Sequence, residues 1–253
     1  MTTTSFPGRP APVRVLHAAR RPALVLVAHG SRDPAAAAAL GRLHARLCGA
    51  RPELDVRLGH LGLNEPLLPQ VLDGLSGRAV LVPLLLSRGY HSRTDIPRTL
   101  SAAPHLAGEC APPLGPDPLL TGVLADRLAE AGWRGEPVVL AASGSRDPDA
   151  AEDVGVQAGL LSVRLGVEVR AGFVAAGGPS VAARVAELAG EGHRRVAVAS
   201  YFTAPGDFAR LAAAAGGALT SAPLGDHPLL ARLVLERYRS GVSSALRRTG
   251  RQG

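Results

Sequence analysis

The sequence predicts an α/β protein built from two similar parallel-sheet halves, and three observations predict it. Short apolar runs alternate with longer Ala- and Leu-rich segments, as where "ALVLVA" (23–28) is followed by "PAAAAALGRLHARLC" (34–48). Apolar runs of that length read as strands covered on both faces, and their alternation with helical stretches is the pattern of a parallel sheet. The stretch "GSRDP" occurs twice, at 30–34 and at 144–148. "PLGPDPLL" (113–120) also returns, as "PLGDHPLL" (223–230). Ordered matches at nearly constant offset mark an internal duplication.

The elements of the first half follow in order. Residues 23–28 form the first strand, and "SRD" then turns the chain. Asp33 is placed to cap a helix that Pro34 starts and that runs to about Cys48, because Asp accepts orphan N–H groups at an N-cap and Pro suits the first helical position. "LDVRLGHL" (54–61) reads as a second strand, with a helix from about Pro66 to Leu75. "AVLVPLLL" (79–86) is a third, buried strand, although Pro83, having no N–H, would normally argue for a sheet edge. A helix begins near Asp95, a short strand lies near 107–111, and a helix covers about 117–131.

In the second half, "RRVAVASYF" (194–202) corresponds to "GRAVLVPLL" (77–85), and Gly62 with Pro69 aligns with Gly172 and Pro179. "GWRGEP" has linker chemistry and puts the boundary near Gly132–Glu136. The expected organisation is a disordered Arg/Pro-rich tail (1–22), a first domain (23–133) and a second (134–246).

Composition narrows the function. With 253 residues and 3% aromatics, two small domains have cores of Ala, Val and Leu. Cys48 and Cys110 give neither a disulfide framework nor a zinc pattern and read as small buried hydrophobes. No apolar run is long enough to span a bilayer and no signal peptide is visible, so a cytoplasmic protein without membrane contact is expected. The net charge of +7 is confined to the ends: nine of the 28 basic residues, all Arg, lie before Ala23 or after Glu236, leaving 19 against 21 acids in the body. Without a basic face, nucleic acid is not an expected partner.

Three reactive residues follow three consecutive strands: His29 after the first, Glu65 in "GLNEP" after the second, and His91 in "LSRGYH" after the third. In an open parallel sheet all strand C-termini point to one edge, where ligands bind. Two imidazoles and a carboxylate there suit a first-row divalent ion, and also acid–base work near neutral pH. All three are missing from the second copy, where Ser143 stands for His29, Ala175 for Glu65, and Asp207 or Phe208 for His91. A turn needs Gly, Asp and Pro but no His, so the loss of all three from one copy points to a single site in the first half. Arg32, Arg88, Arg93 and Arg98 flank these residues and predict a positive mouth, where guanidinium groups would pair with carboxylates. His17, His44, His105, His193 and His227 are not expected to be ligands. Neither is His60, inside the second strand, although it could line the crevice from behind.

Together, "VAHGSRDP", "GLNEPLLPQVLDGL" and "VPLLLSRGYHSRTDIP" resemble the class II tetrapyrrole chelatases of the CbiX/SirB type, the sirohydrochlorin chelatases, over most of 23–245. The resemblance implies two chelatase-like domains with four-stranded, mainly parallel sheets facing each other across a cleft. It implies a lyase that inserts a divalent metal into sirohydrochlorin: Fe2+, giving sirohaem, or Co2+ on the way to cobalamin. The metal is then a substrate, and no cofactor is permanently bound. His29 and His91 match the family's metal-handling histidines and Glu65 its acidic residue. Ser31, Arg32, Ser87, Arg88, Tyr90 and Arg93 are the implied substrate contacts. Iron is favoured here because the chain has no His-rich tract of the kind that stores cobalt or nickel. A non-catalytic metal- or tetrapyrrole-binding protein is the alternative. A His-Gly phosphoryl-transfer enzyme would need Arg before His29, where Ala28 stands. The expected assembly is a monomer or homodimer.

Overall fold

The computed structural model describes residues 21–249. The expected tail lies almost wholly outside the described residues, His17 with it. The described chain holds two four-stranded sheets, every pairing parallel. In the first half, β1 (Ala23–Ala28), β2 (Val56–His60), β3 (Gly77–Pro83) and β4 (Leu106–Cys110) are ordered β2-β1-β3-β4. Helices α1 (Pro34–Ala50), α2 (Leu68–Asp73), α3 (Ile96–Ser101) and α4 (Pro118–Glu130) connect and follow them. The second half repeats the plan with β5 (Val138–Ala142), β6 (Val169–Phe173), β7 (Ala197–Ser200) and β8 (Leu219–Thr220), ordered β6-β5-β7-β8. Its helices are α5 (Pro148–Leu165), α6 (Val181–Gly190), α7 (Asp207–Ala213) and α8 (Pro228–Thr249).

The local chemistry behaves as the sequence predicts at α1: the Asp33 carboxylate accepts from the Ala35 N–H (2.9 Å) with Pro34 at the first helical position, and Asp147 does the same for α5 (3.0 Å). β3 is a central, buried strand; Pro83 is tolerated because it is the last residue, and the next ladder bond comes from the Leu84 N–H to the Val27 carbonyl (2.8 Å). One expectation is corrected: the repeat aligns differently after β2. Gly59, not Gly62, stands opposite the same strand position as Gly172, and Pro66, not Pro69, accepts the bond that Pro179 accepts in the second half.

The packing crosses the linear boundary. Leu24, Leu26 and Ala28 on one face of β1 share a continuous core with Val138, Leu140 and Ala142 of β5. The alternate residues, Val25 and Val27, face α2 and α3 on the outside. The last helix of each half lies on the other half: α4 packs against α5 and β7, and α8 against β3 and β4. A Cβ on Gly241 of α8 would come within 2.6 Å of a Val80 methyl on β3. Tyr238 on α8 donates to the Pro22 carbonyl at the start of β1 (2.7 Å). Among the described residues no helix is long and apolar enough to cross a membrane.

Candidate active site

The C-terminal edges of both sheets face one another across a cleft of about 730 Å³ lined by both halves. His29 leaves β1 on a turn that only Gly allows: Gly30 has φ +96°, and a Cβ there would fall 1.9 Å from the Gly62 carbonyl oxygen. Gly144 repeats this against the Ala176 oxygen (1.9 Å), so the glycines serve the crossing of two loops in both copies. The Ser31 hydroxyl accepts from the Asp33 N–H (3.1 Å), as Ser145 does from Asp147 (3.0 Å), and the Ser31 N–H donates to the Asn64 side chain (2.6 Å).

His91 opens a π-helical turn, His91–Asp95, that leads into α3. Turns of this kind recur at functional sites because they re-aim side chains. Here the turn sets His91 against His29, with ring centroids 5.0 Å apart and planes at 75°. Imidazole nitrogens bind a first-row divalent ion at about 2.0–2.1 Å, so two on one ion stand about 3–4 Å apart. The Asp95 carboxylate lies 2.5 Å from His91 Nδ1 and can only accept, so Nδ1 carries the proton and Nε2 keeps its lone pair. The His29 Nδ1 faces the Gly30 carbonyl (3.3 Å), which gives the same tautomer. A carboxylate holding the far side of a ligand histidine fixes ring orientation and raises basicity. Asp95 was legible as a partner: it stands four residues after His91.

Glu65 is not brought to this pair. It is exposed, its carboxylate accepts from the Leu67 N–H (3.2 Å) at the start of α2, and it lines neither the cleft nor the neighbouring cavity. Among the described residues the trio of donors lying within 4.8 Å of one another is Glu168, Glu191 and His193, exposed on the second half, and Arg170 holds both of its carboxylates.

The positive mouth is also corrected. Arg88 donates from its backbone N–H to buried Asp153 (2.7 Å) and from its guanidinium to Asp153 (2.9 Å) and Glu152 (2.9 Å) on α5. These bonds hold its pKa further above the usual Arg value. Arg93 binds Asp147 (3.3 Å) and Asp149, and its guanidinium holds the Asp149 carboxyl below the usual Asp range. Arg210, the match of Arg93 by the bond each makes to a glycine one turn earlier, in turn binds Asp33. The two halves therefore clasp each other through a reciprocal pair of ion pairs. Arg32 at the cleft and Arg98 beside it have no ion-pair partner among the described residues.

The cleft has an apolar rim. Tyr90, 64% exposed, lies edge-on to His91 (6.1 Å); Leu63, 58% exposed, stands at φ +65°, a conformation unusual for a residue with a Cβ. Phe208, 46% exposed, occupies the place of His91 in the second half, because Arg93 and Arg210 bond back to Gly89 and Gly206 alike. Ser87 also lines the cleft. The sequence did not single out Leu63, and it offered Phe208 only as a missing histidine. Cys48 and Cys110, expected to be buried, are half-buried, and burial pushes the Cys110 thiol up to about 11.

The family model described as CbiX matches residues 23–131 and again 137–241. The chain belongs to the CbiX family. Relatives similar to this chain include a sirohydrochlorin cobaltochelatase of Methanosarcina barkeri, 33% identical over 94 residues, 31% of this chain and 72% of that protein. Similar solved structures include SirB from Bacillus subtilis with Fe3+, at 27% identity, 89% of this chain, 97% of that one and a TM-score of 0.72. The sirohydrochlorin chelatase SirB from Bacillus subtilis subspecies spizizenii in complex with cobalt matches at 25% identity, 88% and 96% coverage and a TM-score of 0.69. The two CbiX segments are the two sheets with their helices, and the His29–His91 pair belongs to the first.

Proposed function

We propose that this chain is a sirohydrochlorin chelatase that inserts a divalent metal ion into a polycarboxylate tetrapyrrole, with Fe2+ as the favoured metal and Co2+ the alternative. The observation that carries the reading is the His29–His91 pair: two rings 5.0 Å apart at the cleft wall, each with its Nδ1 proton on a protein acceptor and Nε2 open. The named activity of the matched cobaltochelatase and SirB supplies the reaction class.

The chemistry divides among the residues. A free-base macrocycle must lose two pyrrolic protons as the metal enters. Neutral imidazoles hold a first-row divalent ion without the tight grip of thiolates. As His29 and His91 pass the ion to the ring, each regains a lone pair at Nε2 and takes one pyrrolic proton. The Asp95 carboxylate stabilises the His91 imidazolium that results. Leu63, Tyr90 and Phe208 give apolar surface for the flat ring, and Arg32 is free to pair with its rim carboxylates.

The test follows the absorbance of sirohydrochlorin with Fe2+ or Co2+ and catalytic amounts of protein. Many equivalents metallated per chain, lost in His29→Ala and His91→Ala, supports the enzyme. Conversion that stops at one equivalent makes the chain a binding protein, and wild-type rates in both variants overturn the assignment of the pair.

A further inference from the structure

A second cavity, about 590 Å³, lies on the outer side of the first half between β2, α2 and α3. Among the described residues, His29 and His91 are the two that line both this cavity and the interdomain cleft. The rings therefore form a partition with a space on each side. The cleft is the larger, receives surface from both halves and carries the exposed apolar rim. The outer cavity belongs to the first half alone.

Its wall contains His60, the last residue of β2, only 5% exposed. The His60 Nδ1–H donates to the Pro66 carbonyl (3.2 Å), since a carbonyl can only accept. Nε2 has no hydrogen-bond partner among the described residues, yet it is not sealed among buried unpartnered atoms, so it opens to the cavity. Three histidines thus meet this space with one tautomer, each holding Nδ1–H on a protein acceptor and offering Nε2. Asp73 and Asp95 against Arg98 leave the lining net negative, which suits a cation.

Resting on the chelatase reading above, we infer that the outer cavity is the loading route for the divalent ion and that His60 is its ligand on the way to His29 and His91. The macrocycle and the metal reach the pair from opposite sides. A flat ring seated in the cleft covers its side of the partition, whereas the outer cavity stays open, so the ion loads with the ring already bound. No bond is made or broken in loading beyond exchange of the ion's water ligands for Nε2 of His60 and then of the pair.

Two variants test this in the full-length chain. His60→Ala removes the ligand. Ala102→Trp, at an exposed position on the cavity rim, narrows the opening without touching a histidine. Co2+ binding is read by calorimetry and ligand-field absorption without tetrapyrrole, and insertion by KM for metal and for sirohydrochlorin separately. His60→Ala is expected to weaken Co2+ binding about tenfold, in line with losses on removing supporting groups of metal sites, and to raise the metal KM similarly. The sirohydrochlorin KM is expected to hold within twofold. Ala102→Trp should slow Co2+ uptake into protein already saturated with sirohydrochlorin. Wild-type metal KM and uptake in Ala102→Trp, with wild-type Co2+ affinity in His60→Ala, overturn the route. A raised sirohydrochlorin KM with metal KM unchanged also overturns it, because the cavity then receives a carboxylate arm at Arg98. A wild-type chain that binds Co2+ through His60 but metallates no tetrapyrrole retains the cavity ligand and sinks the chelatase reading instead.

Discussion

The two halves of this chain have the same sheets, the same strand order and the same loop crossing at Gly30 and Gly144, yet their strand ends carry opposite chemistry. The first half ends in His29 and His91; the second, at the matching positions, in Ser143 and Phe208. What both copies keep is what the fold needs: the glycine turn, the Asp cap, and an Arg that reaches across to the other half's cap. What only one keeps is what an ion needs. In the second half the corresponding position carries an exposed aromatic ring on the cleft wall.

The sharpest way to break this comparison is to exchange the chemistry. His29→Ala and His91→Ala are each expected to lower metal insertion by at least about 100-fold, the scale of positioned acid–base and ligand groups, while Ser143→Ala stays near wild type in the same assay. The next effect concerns how far the halves are separate at all. Because α8 of the second half lies on β3 of the first, Gly241→Leu should overpack against Val80 and cost about 1–3 kcal/mol. Denaturant unfolding should remain one transition; two transitions would mean that the halves fold independently. A smaller effect is expected at the aromatic wall. Phe208→Ala should raise the sirohydrochlorin KM several-fold, up to about tenfold from the roughly 0.5–1.5 kcal/mol of an aromatic contact, with Co2+ affinity unchanged; an altered Co2+ affinity would place Phe208 with the metal instead. The smallest concerns the clasp. Arg93 depresses the Asp149 carboxyl, so this pair's stabilisation is present above the unfolded Asp value of about 3.9 and fades as pH falls through the lower folded value. Asp149→Asn should therefore lower the melting temperature slightly at pH 7–8 and meet the wild-type value in acid, which flattens the acid limb. An unchanged acid limb would show that the clasp contributes nothing measurable.

Much of this was legible without coordinates. The strand–helix alternation, the repeat and the Asp-Pro helix starts are local patterns, set by burial period and backbone chemistry over a few residues. His29 and His91 were legible because strand C-termini in a parallel sheet share an edge, so two residues remote in sequence had to approach. At Glu65 the structure adds what no pattern carries: its backbone is at that edge, and a local N–H two residues on takes its carboxylate. Arg88 lines the cleft, yet its charge and that of Arg93 are taken by acids at the start of α5 in the other half, and long-range pairing has no signature in one segment.

The amino-acid order alone determined the two-copy α/β plan and which copy keeps its imidazoles, because those depend on residue type and spacing along the strand. Only the tertiary structure decided that the two rings form a wall between two cavities, that His60 opens onto the outer one, and that each half's last helix covers the other's sheet. Those features arise where elements far apart in sequence meet, and there side-chain direction and competing partners, not residue type, set what each group can do.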